Sequence, residues 1–555
     1  MSLYCDKENV NVLTALMKRF GVRHVVVCPG SRNGVLVHNF AVDGSFVCHP
    51  VTDERSAAFV ALGLCAATHG PAAVCVTSGS ALLNTLPAVA EAYYRHLPLL
   101  VVSADRPPQW IGQQDGQTLP QDGALRGFTH KSVSLPEPHD AETQWWLRRL
   151  ANEALSALSD GPVHINIPVS EPLFTFTTPV LPDVQPVRRH AEPVLCALPD
   201  GVLARWQAAR CPVLVVGQVD ADLSDVDLRA LSDSRSLLVL PEFIAQMPGA
   251  WRVQVLETLG AEQFFTPDLV FHVGGTLVGK GLKRLLRRVG APVVRMGRDT
   301  ELTDTFEHLS DVVPLTAADA LRLLARTAPM VPEKAAVCQA QARLAAYRHR
   351  ADAYASNRFS DLFVMQSALR EVGHGDVLHL ANSNSIRNAG YFLDDPAYPV
   401  LANRGVNGIE GSLSAAAGHS LATTARVFCF IGDLSFFYDQ NALWNTELRG
   451  NLRILLFNNG GGQIFSCLPG LADSPAARQY IAAAHTTSAE GIAKAYGVRY
   501  LCARTSGEFS AQLHRWATEA AERPVLLEVF TAEADNVAAA DEVRTLYAPH
   551  FEAKK

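Results

Sequence analysis

At 555 residues the chain is longer than one hydrophobic core can organise, because single cores stop growing near ~250–300 residues, and about three domains are expected. Hydrophobic residues make up 48% and charged residues only 19%, so much of the chain must be buried, as in a large enzyme or obligate oligomer rather than a linker-rich scaffold. A net charge of −7 without any Lys/Arg block excludes the electrostatic footprint of a nucleic-acid binder and leaves small molecules as the expected partners.

Eleven cysteines run from Cys5 to Cys502 without a C-x-x-C, which suggests neither a disulfide framework nor a zinc knuckle and fits a reducing, cytoplasmic setting. The start, MSLYCDKENV, lacks the basic region and apolar core of a signal peptide. Apolar runs such as Val25–Val27 and Leu97–Val102 are strand-length, far short of the ~20 residues that span a bilayer, so no membrane association is expected.

Along the chain, Asn9–Phe20 reads as helix, His24–Cys28 as strand, Phe46–Val51 as strand, Arg55–Thr68 as helix, Ala72–Thr77 as strand, Ala81–Tyr94 as helix and Leu97–Ser103 as strand. This alternation is that of a parallel sheet covered on both faces, closed by Val163–Pro168. The Pro/Thr/Val-rich segment Thr175–Pro193 then reads as a linker. Strands at Pro212–Val216, Ser236–Leu240, Leu269–Val273 and Pro292–Met296, ending in a helix at Ala317–Thr327, make a second unit, with a second linker at Ala328–Lys334. After a helix over Gln339–Ala355, strands at Val377–Leu380, Val427–Ile431, Ile454–Asn458 and Val525–Val529 make a third. The expected fold is α/β, with three doubly wound parallel-sheet domains at 1–175, 190–328 and 350–555.

In the third unit, the strand ending at Ile431 runs into Gly432-Asp433-Leu434-Ser435, and the strand ending at Asn458 runs into Asn459-Gly460-Gly461-Gly462. The 26-residue spacing from Asp433 to Asn459 accommodates a helix, placed at Asn441–Leu448, and a returning strand. Both polar ends then lie at the carboxyl edge of one sheet, where open α/β folds bind ligands. A carboxylate, an amide oxygen and a glycine carbonyl are hard oxygens that suit Mg²⁺ carrying a diphosphate, and glycines let the backbone approach its oxygens.

This pair resembles the diphosphate-binding motif of thiamine diphosphate enzymes, whose pyrimidine, central and diphosphate domains agree with the three-unit layout. Leu434 stands where glycine is usual, a departure similar to the menaquinone-pathway branch, the family of 2-succinyl-5-enolpyruvyl-6-hydroxy-3-cyclohexene-1-carboxylate (SEPHCHC) synthases. Cys28-Pro-Gly-Ser-Arg32, Thr52-Asp-Glu-Arg55, Thr77-Ser-Gly-Ser80, Ala104-Asp-Arg-Pro-Pro108, Asn403-Arg-Gly405 and Gly462-Gln-Ile-Phe-Ser466 carry this resemblance over nearly the whole chain, most thinly in the middle. It implies decarboxylation of 2-oxoglutarate and addition of the resulting four-carbon carbanion to isochorismate, with thiamine diphosphate and Mg²⁺ or Mn²⁺ as cofactors. It further implies a homodimer or homotetramer whose active sites form between subunits.

By the same resemblance, Glu54 bonds the aminopyrimidine and activates the cofactor, and Ile464 wedges it into its bent shape. Ser78, Gly79, Leu434, Ser435, Gly462 and Phe465 complete the cofactor site, with Asp433, Asn459 and Gly461 as metal ligands. Arg32, Arg106, Arg387 and Arg404 are substrate arginines, helped by Ser31, Gln117, Lys280, Ile464, Phe465 and Leu468. Arg32, Gln117, Arg387 and Arg404 join Glu54 in the catalytic set. Arginines are independently sensible, because the two substrates bring two carboxylates each, one of the four leaves as carbon dioxide, and a guanidinium fork binds a carboxylate bidentately.

Gly274-Gly-Thr-Leu-Val-Gly279-Lys280 satisfies G-x-x-x-x-G-K, but Gly281 stands where a P-loop needs Ser or Thr for Mg²⁺. The family usually has arginine there, so Lys283 or Arg284 is expected to compensate. The rival readings are another thiamine-dependent carboligase or decarboxylase and a catalytically silent anion-binding member of the fold.

Overall fold

The computed structural model describes residues 3–187, 189, 195–249, 264–298, 302–352, 357–467, 470–471 and 473–547. Strands β1 (Tyr4–Cys5), β2 (His24–Val27), β3 (Val47–Pro50), β4 (Ala72–Val76), β5 (Leu99–Asp105), β6 (Lys131–Ser134), β7 (Val163–Pro168) and β8 (Phe176–Thr178) belong to the first unit. The second contains β9 (Pro212–Val216), β10 (Leu238–Pro241), β11 (Leu269–Val273), β12 (Val293–Met296) and β13 (Leu309–Val313). The third contains β14 (Val377–Leu380), β15 (Val400–Leu401), β16 (Val427–Gly432), β17 (Leu452–Asn458), β18 (Arg499–Ala503) and β19 (Val525–Phe530).

The central strands are rich in apolar residues because helices cover both faces, and every residue of β4, β5 and β7 is buried, His164 and Asn166 of β7 included. The first sheet has the order β3-β2-β4-β5-β7-β6 and the third β15-β14-β16-β17-β19-β18, so the two are wound identically. The middle sheet has the order β10-β9-β11-β12-β13, and the pairs of all three sheets are parallel. In the first and third sheets the winding reverses beside β2 and β14, which opens a crevice at the carboxyl ends of β2 and β4 and of β14 and β16.

Two helices buried on nearly all sides join the outer units. Helix Glu54–Thr68 is buried from Ser56 to Ala66 and helix Ser412–Ala422 from Ser412 to Ser420. They cross where side chains are missing: a Cβ on Gly63 would lie 2.1 Å from the Ala415 carbonyl oxygen, and one on Gly418 would lie 2.0 Å from that of Val60. Their alanines and the inner faces of both sheets share one continuous core.

Several expected elements shift. The helix placed at Asn441–Leu448 is a short 3-10 turn at Gln440–Trp444. The Arg523 guanidinium takes the carbonyls of Asn445, Thr446 and Leu448, acceptors that a continuing helix would need. The helix placed at Ala81–Tyr94 is two, Ser80–Asn84 and Leu86–Arg95, with Pro87 in the first turn of the second. Within the first expected linker, β8 pairs antiparallel with β1.

Candidate active site

Asp433 opens helix Asp433–Tyr438 directly after β16, and Asn459 follows β17, the neighbouring strand. The expected juxtaposition is present: Asp433 Oδ2 accepts the N–H groups of Asn459, Gly460 and Gly461 at 3.2, 2.9 and 3.0 Å. Gly460 and Gly461 have φ of +82° and +143°, which turns these amides toward one carboxylate. Burial pushes the Asp433 carboxyl above its ordinary range, opposed by His485, whose Nε2 is 3.3 Å away, and by those amides.

Asp433, Asn459 and Gly461 border a cavity of about 140 Å³ with Asn382, Ser383, Ile464 and Phe465. Leu434, Ser435 and Gly462 also line it, with the Ser435 hydroxyl donating to the Ile409 carbonyl at 2.7 Å. Leu468 lies outside the described residues. Asn459 turns its amide nitrogen to Asp361 at 2.8 Å, and among the described residues nothing donates to its buried Oδ1. An acceptor left without a donor beside an acidic side chain suits a cation.

The first-unit candidates occupy the carboxyl ends of four adjacent parallel strands. Ser31 and Arg32 follow β2, Glu54 follows β3, Ser78 and Gly79 follow β4, and Arg106 follows β5. Glu54 opens its helix while the preceding Asp53 carboxylate caps it, accepting from the amides of Arg55 and Ser56 at 2.9 and 3.1 Å. Capping therefore does not require Glu54. Arg106 pairs with Asp115 at 3.0 Å and donates to the Gly116 carbonyl at 3.0 Å, fixing the segment that carries Gln117. A Cβ on Gly79 would lie 3.1 Å from Gln117, so glycine permits that loop to close over β4. Arg32 is buried, donating to the Val169 carbonyl at 3.0 Å and pairing with Glu171 at 3.1 Å.

The remaining arginines differ in setting. Arg387 lies on the short helix Asn384–Ala389 and donates to the Ser383 carbonyl at 2.9 Å. Arg404 is buried and donates to Asn382 Oδ1 at 3.0 Å. Its other side faces a larger cavity of about 990 Å³, bordered also by Lys283, Asp220 and Arg95.

The segment Gly274–Lys280 is not a phosphate cradle. The amides of Val278 and Gly279 donate to the buried Glu242 carboxylate at 2.5 and 2.9 Å, filling the place of an anion. Its glycines serve packing, since a Cβ on Gly274 would lie 2.8 Å from the Gln218 carbonyl oxygen. Lys280 is exposed at the start of helix Lys280–Val289. Of the two proposed substitutes for the missing arginine, Lys283 is half-buried and donates to the Leu277 carbonyl at 3.0 Å, whereas Arg284 is exposed.

The structure thus brings most first-unit candidates to one sheet edge and Asp433, Leu434, Ser435, Asn459, Gly461, Gly462, Ile464 and Phe465 to one cavity at the third sheet, while Arg387 and Arg404 do not line that cavity and Lys280 lies apart on the middle unit. None of the first-unit candidates lines the third-unit cavity within this chain. Sequence reasoning passed over Asn382 and Ser383, although a polar Asn-Ser-Asn-Ser run straight after a strand was the available signal. It also passed over Asp361 and His485, which reach Asn459 and Asp433 from distant segments.

The family described as Thiamine pyrophosphate enzyme, N-terminal TPP binding domain, matches residues 8–125, and its C-terminal TPP binding domain matches residues 387–529. A SEPHCHC synthase of Bacteroides thetaiotaomicron is 38% identical, covering 95% of this chain and 97% of its own. The chain belongs to the SEPHCHC synthase family. A SEPHCHC synthase of Desulfotalea psychrophila is 37% identical over 89% of this chain and 93% of its own, and one of Flavobacterium johnsoniae is 32% identical over 93% and 94%. Benzoylformate decarboxylase from Polynucleobacter necessarius, at 16% identity, shares the fold with a TM-score of 0.70 over 95% of this chain and 99% of its own. The N-terminal TPP domain match contains Ser31, Arg32, Glu54, Ser78, Gly79 and Arg106, and the C-terminal match contains Asp433 and Asn459. Among the described residues no helix is long and apolar enough to cross a membrane.

Proposed function

We propose that the protein catalyses thiamine diphosphate-dependent decarboxylation of 2-oxoglutarate and conjugate addition of the four-carbon unit to isochorismate, giving SEPHCHC and carbon dioxide in menaquinone biosynthesis. The reading is carried by the Asp433–Asn459 pair at the carboxyl edge of β16 and β17, in a chain alike over nearly its full length to SEPHCHC synthases.

Thiamine diphosphate, when bound, supplies a nucleophilic carbon and an electron sink for the pair left by carbon dioxide. Asp433, the free Oδ1 of Asn459 and the Gly461 carbonyl would hold Mg²⁺ or Mn²⁺ with the diphosphate, beside Leu434, Ser435, Gly462, Ser78 and Gly79. Glu54 would exchange a proton with the aminopyrimidine ring of the bound cofactor, and Ile464 and Phe465 would orient the cofactor and exclude water. Arg32, Arg106, Arg387, Arg404 and Lys280 bind the substrate carboxylates, with Ser31, Gln117 and Leu468 beside them. Because no first-unit candidate lines the third-unit cavity within one chain, a second copy completes the site, making the protein a homodimer or a homotetramer built of two such dimers. A cytoplasmic location fits the free cysteines.

Carbon dioxide release and isochorismate consumption, measured together with each component omitted in turn, test the reaction. One-to-one turnover requiring 2-oxoglutarate supports it. Turnover of pyruvate, or indifference to isochorismate, makes the protein a different thiamine-dependent carboligase or decarboxylase.

A further inference from the structure

Arg404 sits on a loop held by two other units. From the second, Gln218 Nε2 donates to the Ala402 carbonyl at 2.8 Å and Gln246 Nε2 to that of Val400 at 2.7 Å. From the first, helix Leu86–Arg95 presents Glu91, which is fully buried. Its Oε1 accepts the Gly405 amide at 2.8 Å and its Oε2 the Val406 amide at 2.8 Å. Four residues on, Arg95 lies 3.6 Å from Oε1, donates to Asn403 Oδ1 at 3.1 Å and grips Asp220 through two nitrogens at 2.9 and 2.6 Å.

A buried carboxylate is costly unless its oxygens are satisfied, and here each oxygen takes one of two successive amides. That arrangement fixes the peptide plane immediately after Arg404. The contact is close enough to demand glycine: a Cβ on Gly405 would lie 2.6 Å from the Glu91 carbonyl oxygen and 3.0 Å from Oε2. The Arg404 guanidinium donates to Asn382, and among the described residues its buried Nε has no partner. Its aim therefore depends on the backbone that carries it.

We propose that Glu91 is a positioning residue for the substrate site, its carboxylate fixing the 404–405 and 405–406 peptides so that the Arg404 guanidinium is held in place for a substrate carboxylate. This rests on the reading of Arg404 as a substrate-binding group. A glutamine in place of Glu91 has one acceptor oxygen, and its NH₂ group faces an N–H, donor against donor, so the isosteric change breaks half of the grip.

The test compares the wild-type holoenzyme with R404A, E91Q and the double variant, in steady-state kinetics with 2-oxoglutarate and isochorismate varied in turn. R404A identifies the substrate that Arg404 binds. E91Q is expected to raise the KM of that same substrate on the order of tenfold with kcat little changed, the pattern of lost uniform binding. Added to R404A it is expected to cost nothing further, because both act through one guanidinium. Equal loss with both substrates, a loss confined to kcat, or additivity in the double variant overturns the role of Glu91. A KM unmoved by R404A overturns instead the reading of Arg404. Should E91Q fail to fold, E91D keeps both oxygens but withdraws them by one methylene, and its KM pattern decides on the same criteria.

Discussion

Asn459 donates its side-chain amide to the buried Asp361 carboxylate at 2.8 Å, and this bond decides which way its oxygen points. Asp361 is itself set by Thr531, which donates at 2.6 Å, and by its own amide, donated to Asn536 at 2.7 Å. In Asp361→Asn an amide group competes for the same orientation, and Asn459 loses the constraint that aims Oδ1. Groups that orient a metal ligand typically carry 10–100-fold in affinity, so thiamine diphosphate binding in the presence of Mg²⁺ should weaken by about that factor. A calorimetric or fluorescence titration reads it, and unchanged affinity would sink the assignment of Asn459 as a ligand.

Glu54 stands beside a cap that does not need it. Glu54→Gln should leave the thermal midpoint nearly unchanged, since Asp53 retains both amides of the first turn. Exchange of the cofactor C2 proton, followed by NMR after quenching, should slow by about 10²–10⁴-fold, the usual range for loss of a general acid or base. Exchange at the wild-type rate removes Glu54 from the mechanism.

The glycine crossing of helices Glu54–Thr68 and Ser412–Ala422 makes a stability prediction. Gly63→Ala gains helix propensity but drives a methyl to within 2.1 Å of the Ala415 carbonyl oxygen. Overpacking a tight contact costs about 1–3 kcal/mol, against roughly 1 kcal/mol from propensity. The variant should melt at a lower temperature, and an equal or higher midpoint would mean that the helices separate without cost.

Burial pushes the Glu242 carboxyl up to about 7, opposed by the amides of Val278 and Gly279 and the charges of Arg404 and Lys283. The folded state therefore holds a proton that the unfolded state releases near pH 4.5. This contribution to stability is complete below that pH and is lost as the pH rises through about 7. Glu242→Gln cannot titrate, so its stability relative to wild type should improve from pH 5 to pH 8. Melting curves at both ends of that window check it, and parallel curves would place the titration elsewhere.

What the sequence made legible follows from pattern strength. Continuous apolar runs such as those of β5 and β17 and the polar ends after β16 and β17 carry local signals, and the structure has them where they were expected. The edge strands β6, β13, β15 and β18 went unseen. β6, β13 and β18 alternate or mix polar with apolar residues because an edge keeps partial exposure, and β15 is two residues long. Glu242 answers Val278 and Glu91 answers Gly405 across 36 and 314 residues, and no local motif announces such a pairing. The same distance explains the misleading phosphate-loop pattern, whose anion is supplied by the chain itself.

The identical winding of the first and third sheets means that a single frame occurs twice in this chain. Its carboxyl edge carries Ser31, Arg32, Glu54 and Arg106 in one copy and Asp433, Asn459 and a run of glycines in the other. Topology therefore does not distinguish the two halves. What sets them apart chemically lies in the residues that follow each strand, together with Asp361 and His485, which reach the third-unit turns from distant segments of the chain.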